Sequence, residues 1–179
     1  MAEAKRAQAI DPLSAEAAWD TGLALFFGGR RGEAIEQFKS AIDLNPELWL
    51  THSFLAWAYA DGGDYDRAFA EYAKARALND NTDILSNLTW TYAKAGRRTE
   101  ALQTLETMLK RSKTEYVSPF YIGVAYYSVG DKGRAFAWLE KAYAERAELL
   151  VFINVAPIFA PLHDDPRFVD LVRRIGVSR

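Results

Sequence analysis

One six-residue phrase, Gly-x-x-x-[Glu/Arg]-Ala, recurs four times in this chain, at Gly29–Ala34, Gly63–Ala68, Gly96–Ala101 and Gly130–Ala135. The closing alanines are 34, 33 and 34 residues apart. A period this constant restricts the fold more than any other feature of the chain. A unit of that length is one supersecondary element that cannot bury its apolar face alone, so successive copies must stack on one another. Aligning the copies gives units of about 15–48, 49–81, 82–115 and 116–147.

Each unit reads as two helices. The first carries apolar residues at helical spacing, such as Leu55 with Tyr59 and Leu88 with Tyr92, and a glycine ends it. The second runs from about Gly32 to Leu44 in the first unit, with Ala34, Phe38 and Ala41 on one face, and Asn45-Pro46 stops it. No segment alternates as a strand does. The aligned columns have physical meanings. Gly22, Ala56, Thr89 and Gly123 share one, and Ala34, Ala68, Ala101 and Ala135 another, so paired helices approach closely there. Leu25, Tyr59, Tyr92 and Tyr126, and then Phe38, Tyr72, Leu105 and Leu139, fill the space around them. A third small column, Ala41, Ala75 and Ala142, is interrupted by Met108, which predicts looser packing at that point.

This pattern resembles the tetratricopeptide repeat (TPR) family over roughly residues 1–147. The unit Trp49–Asn81 matches best, with Leu55, Ala56, Tyr59, Gly63-Asp64-Tyr65, Ala68, Tyr72 and Ala75 in place. The family's tryptophan near the start of the first helix is replaced by Ala18, His52, Leu85 and Pro119. Its terminal proline, present at Pro12 and Pro46, becomes Asp80 and Lys113. The resemblance implies an all-α, right-handed TPR superhelix of antiparallel helix pairs with a C-terminal capping helix.

The two ends depart from the period. Residues 1–12 read as the second helix of a repeat whose first helix is absent. That predicts a fragment of a longer protein, with an N-terminal capping helix as the alternative. Residues 148–179 read as a helical cap, with Asp164 or Asp165 as N-cap, Pro166 in the first turn and Gly176 as terminator. The phrases Tyr116–Ile122, Gly130-Asp131-Lys132, Trp138–Ala142 and Pro161–Phe168 also resemble the C-terminal end of TPR regions in bacterial multidomain regulators. That resemblance implies a cytoplasmic sensor or scaffold region attached to an effector domain.

Composition leaves little room for chemistry. The chain lacks cysteine and has two histidines, so thiolate sites and His-rich metal sites are excluded. Lys+Arg 22 against Asp+Glu 24 argues against broad binding to nucleic acid or to an anionic membrane. The longest apolar stretch, Leu149 to Leu162, is too short and too broken by proline to span a bilayer, and the first residues do not form a signal peptide. Gly28–Gly32 is glycine-rich and basic, but lies where every unit turns. His52 falls in a packing column, and His163 beside Asp164 and Asp165 falls in the cap. Asn87-Leu88-Thr89 is a glycosylation sequon inside a helix. No nucleophile–base pair, metal spacing or cofactor motif is present, so the chain reads as non-catalytic.

Aromatic residues nevertheless make up 13% of the chain. In TPR architecture the first helix of each pair lines the binding face. The residues predicted there are Trp19, Leu23 and Phe26, with Phe27 beside them, in the first unit. In the second they are Ser53, Trp57 and Ala60, with Phe54 at the edge. In the third they are Ser86, Asn87, Trp90 and Lys94, and in the fourth Phe120, Val124 and Tyr127, with Tyr121 nearby. A carboxylate clamp is excluded, because Trp19, Leu23, Phe54 and Trp57 stand where its Lys, Arg and Asn would be. Such a face suits a hydrophobic or amphipathic helix or peptide of a protein partner. Two alternatives stay open. The tail around Phe152, Ile153 and Phe159 fills the face, or a second copy covers it in a homo-oligomer.

Overall fold

The computed structural model describes residues 14–177. The half-repeat expected at residues 1–12 lies outside them. Helix α1 spans Ala15–Phe27, α2 Arg31–Leu44, α3 Trp49–Asp61, α4 Tyr65–Leu78, α5 Thr82–Lys94, α6 Arg98–Arg111, α7 Pro119–Ser128 and α8 Lys132–Ala144. Two 3₁₀ segments follow at Glu148–Phe152 and Pro157–Leu162, then α9 at Pro166–Ile175. Among the described residues there are no strands. Consecutive helices form antiparallel pairs packed as in TPR proteins.

Each pair turns through the same local geometry. The glycine that ends the first helix of each pair is left-handed, as at Gly63 with φ +83° and Gly130 with φ +89°. The next amide reaches back five residues to close the helix, Asp64 N–H donating to Tyr59 O at 3.0 Å and Asp131 N–H to Tyr126 O at 3.0 Å. The same bond runs from Arg30 N–H to Leu25 O at 2.9 Å. Gly28–Gly32 is thus the same turn as in the other pairs.

The chain divides into two compact units, up to Ile84 and from Leu85 onward. In the first, α2 packs between α1 and α3, and α4 pairs with α3. The small column does what its residue types predict. A Cβ on Gly22 would stand 2.6 Å from the Phe38 ring, so only glycine lets α1 meet that phenylalanine. Ala34, Phe38, Ala41, Ala56, Ala68 and Ala75 are all fully enclosed. His52 is buried as well, with Nδ1 2.6 Å from Glu71 Oε2 and Nε2 3.0 Å from the Pro46 carbonyl. It ties α3 to α4 and to the preceding turn.

In the second unit Leu85, Ala101, Leu105, Met108, Ile122, Tyr126 and Ala135 belong to one apolar core. Met108 has no exposed surface. Methionine, larger and more flexible than the alanines of that column, is accommodated inside the core. Thr89 is enclosed in the small column, its hydroxyl donating to Leu85 O at 2.8 Å. That bond and its burial leave the sequon closed. Ser86 Oγ donates to Tyr121 O at 3.0 Å and joins α5 to α7.

The tail folds onto α8. Asp165, and not Asp164, caps α9 by accepting from Arg167 N–H at 3.0 Å, and Gly176 closes the helix at φ +81°. The guanidinium of Arg167 lies 4.1 Å from the centre of the Phe136 ring, and Arg174 Nη1 donates to Glu140 Oε2 at 2.9 Å. The cap residues Asp131 and Asp165 are 34 apart, so the tail keeps the length of a repeat. It does not keep the burial pattern. Ala135 is 1% exposed, whereas Val169, one period later, is 52% exposed. A cap ends a stack because its outer side has no further repeat to meet.

Candidate functional site

Burial along the first helix of each pair shows which side remains open. In α1 the residues Glu16, Asp20, Leu23 and Phe27 are exposed or partly exposed. In α3 the same holds for Leu50, Phe54, Trp57 and Asp61. Both sets follow i, i+4, i+7, i+11, one stripe of a helix, and the two sets match residue for residue at a distance of 34. Three positions one step round the helix are closed, although Trp19, the α1 counterpart of Ser53, is partly exposed. Ser53, Ala60 and Phe26 are buried, at 2%, 0% and 2% exposure.

The first unit gathers its aromatic side chains around this stripe. Trp19 meets Phe54 edge to face, with ring centres 5.9 Å apart. Phe54 lies 5.8 Å from Trp57, and Phe27 lies 6.0 Å from Trp57. Phe26 sits beneath, its ring 5.0 Å from Trp57. Of the residues expected here, Trp19, Leu23 and Trp57 are partly exposed, and Phe26 is their buried floor. Phe27 and Phe54, given a marginal place by spacing, are full members of the cluster.

The second unit behaves differently. On α5, Asn87 and Trp90 are half-buried and Lys94 is exposed, with the ammonium of Lys94 4.7 Å from the centre of the Trp90 ring. On α7 the stripe positions are Tyr121, Val124 and Ser128, of which Tyr121 and Ser128 are partly exposed and Val124 is buried, while Phe120 and Tyr127 lie one step round the helix. Phe120 is 7% exposed, and the fully buried ring of Phe159 lies 6.1 Å from Phe120 and 5.9 Å from Tyr127. Phe159 belongs to the second 3₁₀ segment, bracketed by Pro157 and Pro161, and also meets Phe168 of α9 at 5.8 Å. The tail therefore packs on Phe120 and Tyr127. Burial holds the Tyr127 phenol above its ordinary pKa.

Charge separates the units as well. Residues 1–84 hold fourteen acidic and eight basic side chains, a net charge of −6. Residues 85–179 hold ten acidic and fourteen basic ones, a net charge of +4. The near-neutral total conceals this split. The open stripes of α1 and α3 repeat it locally. They hold Glu16, Asp20 and Asp61, while neither Ala15–Phe27 nor Trp49–Asp61 contains a lysine or arginine. Spacing could have revealed these carboxylates, but attention to aromatic residues alone passes over them.

Among the described residues no three His, Asp or Glu side chains converge as a metal site. None of the described helices is long and apolar enough to cross a membrane. His163 has its Nε2 buried without a hydrogen-bond partner, and its ring centre lies 5.6 Å from that of Phe168.

Two models of the tetratricopeptide repeat match this sequence, one over residues 59–118 and the other over 2–48 and 20–82. No curated protein matches it. Nineteen chains of solved structure are similar. One is described as functional characterization of Pseudomonas aeruginosa pilF, with 20% identity, 92% of this chain and 78% of that chain covered, and a TM-score of 0.56. That likeness is one of fold. The family matches together run from residue 2 to residue 118, and the chain belongs to the tetratricopeptide repeat family, a protein-interaction scaffold and generally a non-catalytic one.

Proposed function

We propose that this chain is a scaffold or sensory module whose open aromatic stripe binds a hydrophobic or amphipathic peptide or helix. The observation that carries the reading is the cluster of Trp19, Phe27, Phe54 and Trp57. These are partly exposed rings in mutual contact on the open side of two first helices. Aromatic clusters of this kind supply large contact area at small entropic cost, and they anchor peptide segments in interfaces. Leu23 extends the stripe in the first unit. Asn87, Trp90 and Lys94 offer a shorter one on α5. Phe120 and Tyr127 keep a supporting role, since the tail already occupies them.

The test is direct binding of an amphipathic helical peptide to the full chain. Trp57→Ala with Trp90→Ala should abolish it while the helical circular dichroism stays unchanged. Loss of helical signal instead would make both residues core residues and refute the reading.

A second reading is self-association within a larger bacterial, cytoplasmic regulator. The net charges of −6 and +4 on the two units favour it, because the acidic unit of one copy complements the basic unit of another. Sedimentation at micromolar concentration separates the two readings, since a sharp monomer excludes self-association.

A further inference from the structure

We infer that the open stripe of α1 and α3 selects a cationic amphipathic segment, with an aromatic or aliphatic side chain against Trp19, Phe54 and Trp57 and a lysine or arginine against Asp20. The inference rests on the groove reading above and adds the charge of its ligand.

Three observations support it. The stripe has carboxylates at Glu16, Asp20 and Asp61, and its two helices contain no lysine or arginine. Asp61 is held by Arg31, whose Nη1 lies 3.3 Å from Asp61 Oδ2, and Glu16 accepts from Ser14 Oγ at 3.3 Å. Asp20 is exposed and has no partner among the described residues, one turn before Leu23 and adjacent to Trp19. An unpaired carboxylate beside apolar surface gains most from a ligand that brings the opposite charge.

The second observation concerns the rings. Two partly exposed tryptophans are covered by the chain's own cations, Trp90 by Lys94 at 4.7 Å and Trp138 by Lys141 at 4.8 Å. Among the described residues, Trp19 and Phe54 make ring contacts with other aromatic rings and with no cation. An aromatic face flanked by a carboxylate is a favourable place for an ammonium or guanidinium. The third observation is long-range. The net charge of −6 on residues 1–84 draws a cationic segment towards this unit and repels an anionic one. The chemistry is thus the reverse of a carboxylate clamp, which grips an acidic tail with basic side chains.

The experiment uses the full chain and a fluorescein-labelled, 15-residue amphipathic helix built of leucine, tryptophan and lysine. A second peptide replaces every lysine with glutamate. Fluorescence anisotropy should show binding of the lysine peptide, weakening as salt rises, and none of the glutamate peptide. Trp19→Ala should weaken binding about tenfold and Asp20→Asn about threefold. Asp20 is exposed, so its variant keeps the fold. As a control for bulk charge, Asp43→Asn with Asp66→Asn, on the second helices of the same unit, should change affinity by less than about twofold.

Equal binding of both peptides would overturn the charge selection and leave the groove reading intact. Failure of both to bind would overturn both. A control variant that weakens binding as much as Asp20→Asn would also overturn the inference, because bulk charge would then suffice. So would sedimentation showing a wild-type dimer that Asp20→Asn dissociates, since the occupant would then be a second copy of this chain.

Discussion

The ring of Phe159 lies 5.9 Å from that of Tyr127, in a relationship that Trp57 and Phe26 repeat in the first unit at 5.0 Å. Phe26 and Tyr127 occupy the same column of the repeat. In one unit the next first helix provides the covering ring, and in the other a proline-bracketed 3₁₀ turn of the tail does. The tail closes the last pair by supplying the side chain that a following repeat would have supplied.

This substitution makes Phe159 a stability residue. Phe159→Ala removes a fully enclosed ring packed on Phe120, Tyr127 and Phe168. The loss should be about 3–5 kcal/mol, the usual cost of deleting a buried phenylalanine. Urea unfolding followed by circular dichroism measures it. Hydrogen exchange should show faster opening in α7 and in residues 148–162.

Gly22 and Phe38 provide the converse case, where adding atoms is costly. Gly22→Ala would place a methyl group 2.6 Å from the Phe38 ring. Overpacking of this kind costs about 1–3 kcal/mol, more than the improved helix propensity of alanine returns. Phe38→Leu in the same chain should recover part of the loss. Thermal unfolding of the single and double variants would show the coupling, and additive effects would refute direct contact.

The charged pairs at the start of the second helices alternate in sign along the chain. Arg30 pairs with Glu33, Asp64 with Arg67, Arg97 with Glu100, and Asp131 with Arg134. Where the cap is Asp, its carboxylate also accepts a backbone amide. Where it is Arg, no side-chain cap bond forms. Exchanging the third pair, Arg97→Asp with Glu100→Arg, gives α6 the missing acceptor. Arg97 already lies 4.9 Å from the centre of the Tyr92 ring, so the exchanged arginine keeps that ring covered as Arg67 and Arg134 cover Tyr59 and Tyr126, and the gain is the cap alone. Stability should rise by about 0.5–1 kcal/mol, read from the urea midpoint.

Acid should remove the same contribution. The side chain of Arg67 holds the Asp64 carboxyl below its ordinary pKa, and the backbone amide of Arg134 followed by its side chain does so for Asp131. Arg167 lowers Asp165 and Arg97 lowers Glu100 in the same way. A depressed folded value means that the unfolded chain binds more protons, so the contribution is complete above the unfolded pKa of about 4 and is lost as pH falls through the folded values. The urea midpoint should stay level from these groups down to about pH 5 and then fall. Asp64→Asn with Asp131→Asn should flatten that fall, and an unchanged acid slope would show that these carboxyls do not contribute.

The sequence by itself determined the helix pairs and the columns where helices meet. A constant period brings equivalent residues to equivalent places, so glycine opposite phenylalanine or alanine opposite tyrosine has one packing solution. Which aromatic rings stay open was decided only in three dimensions. Phe26 and Phe27 are neighbours in sequence and differ by one step round the helix, yet one is the floor beneath Trp57 and the other part of the open stripe. Periodicity gives an angle round one helix axis, but burial depends on which neighbouring side chain comes down upon it. The same reason explains Phe120 and Phe159. Their distance in sequence carries no periodic signal, and the 3₁₀ turn between Pro157 and Pro161 sets the ring over its partner.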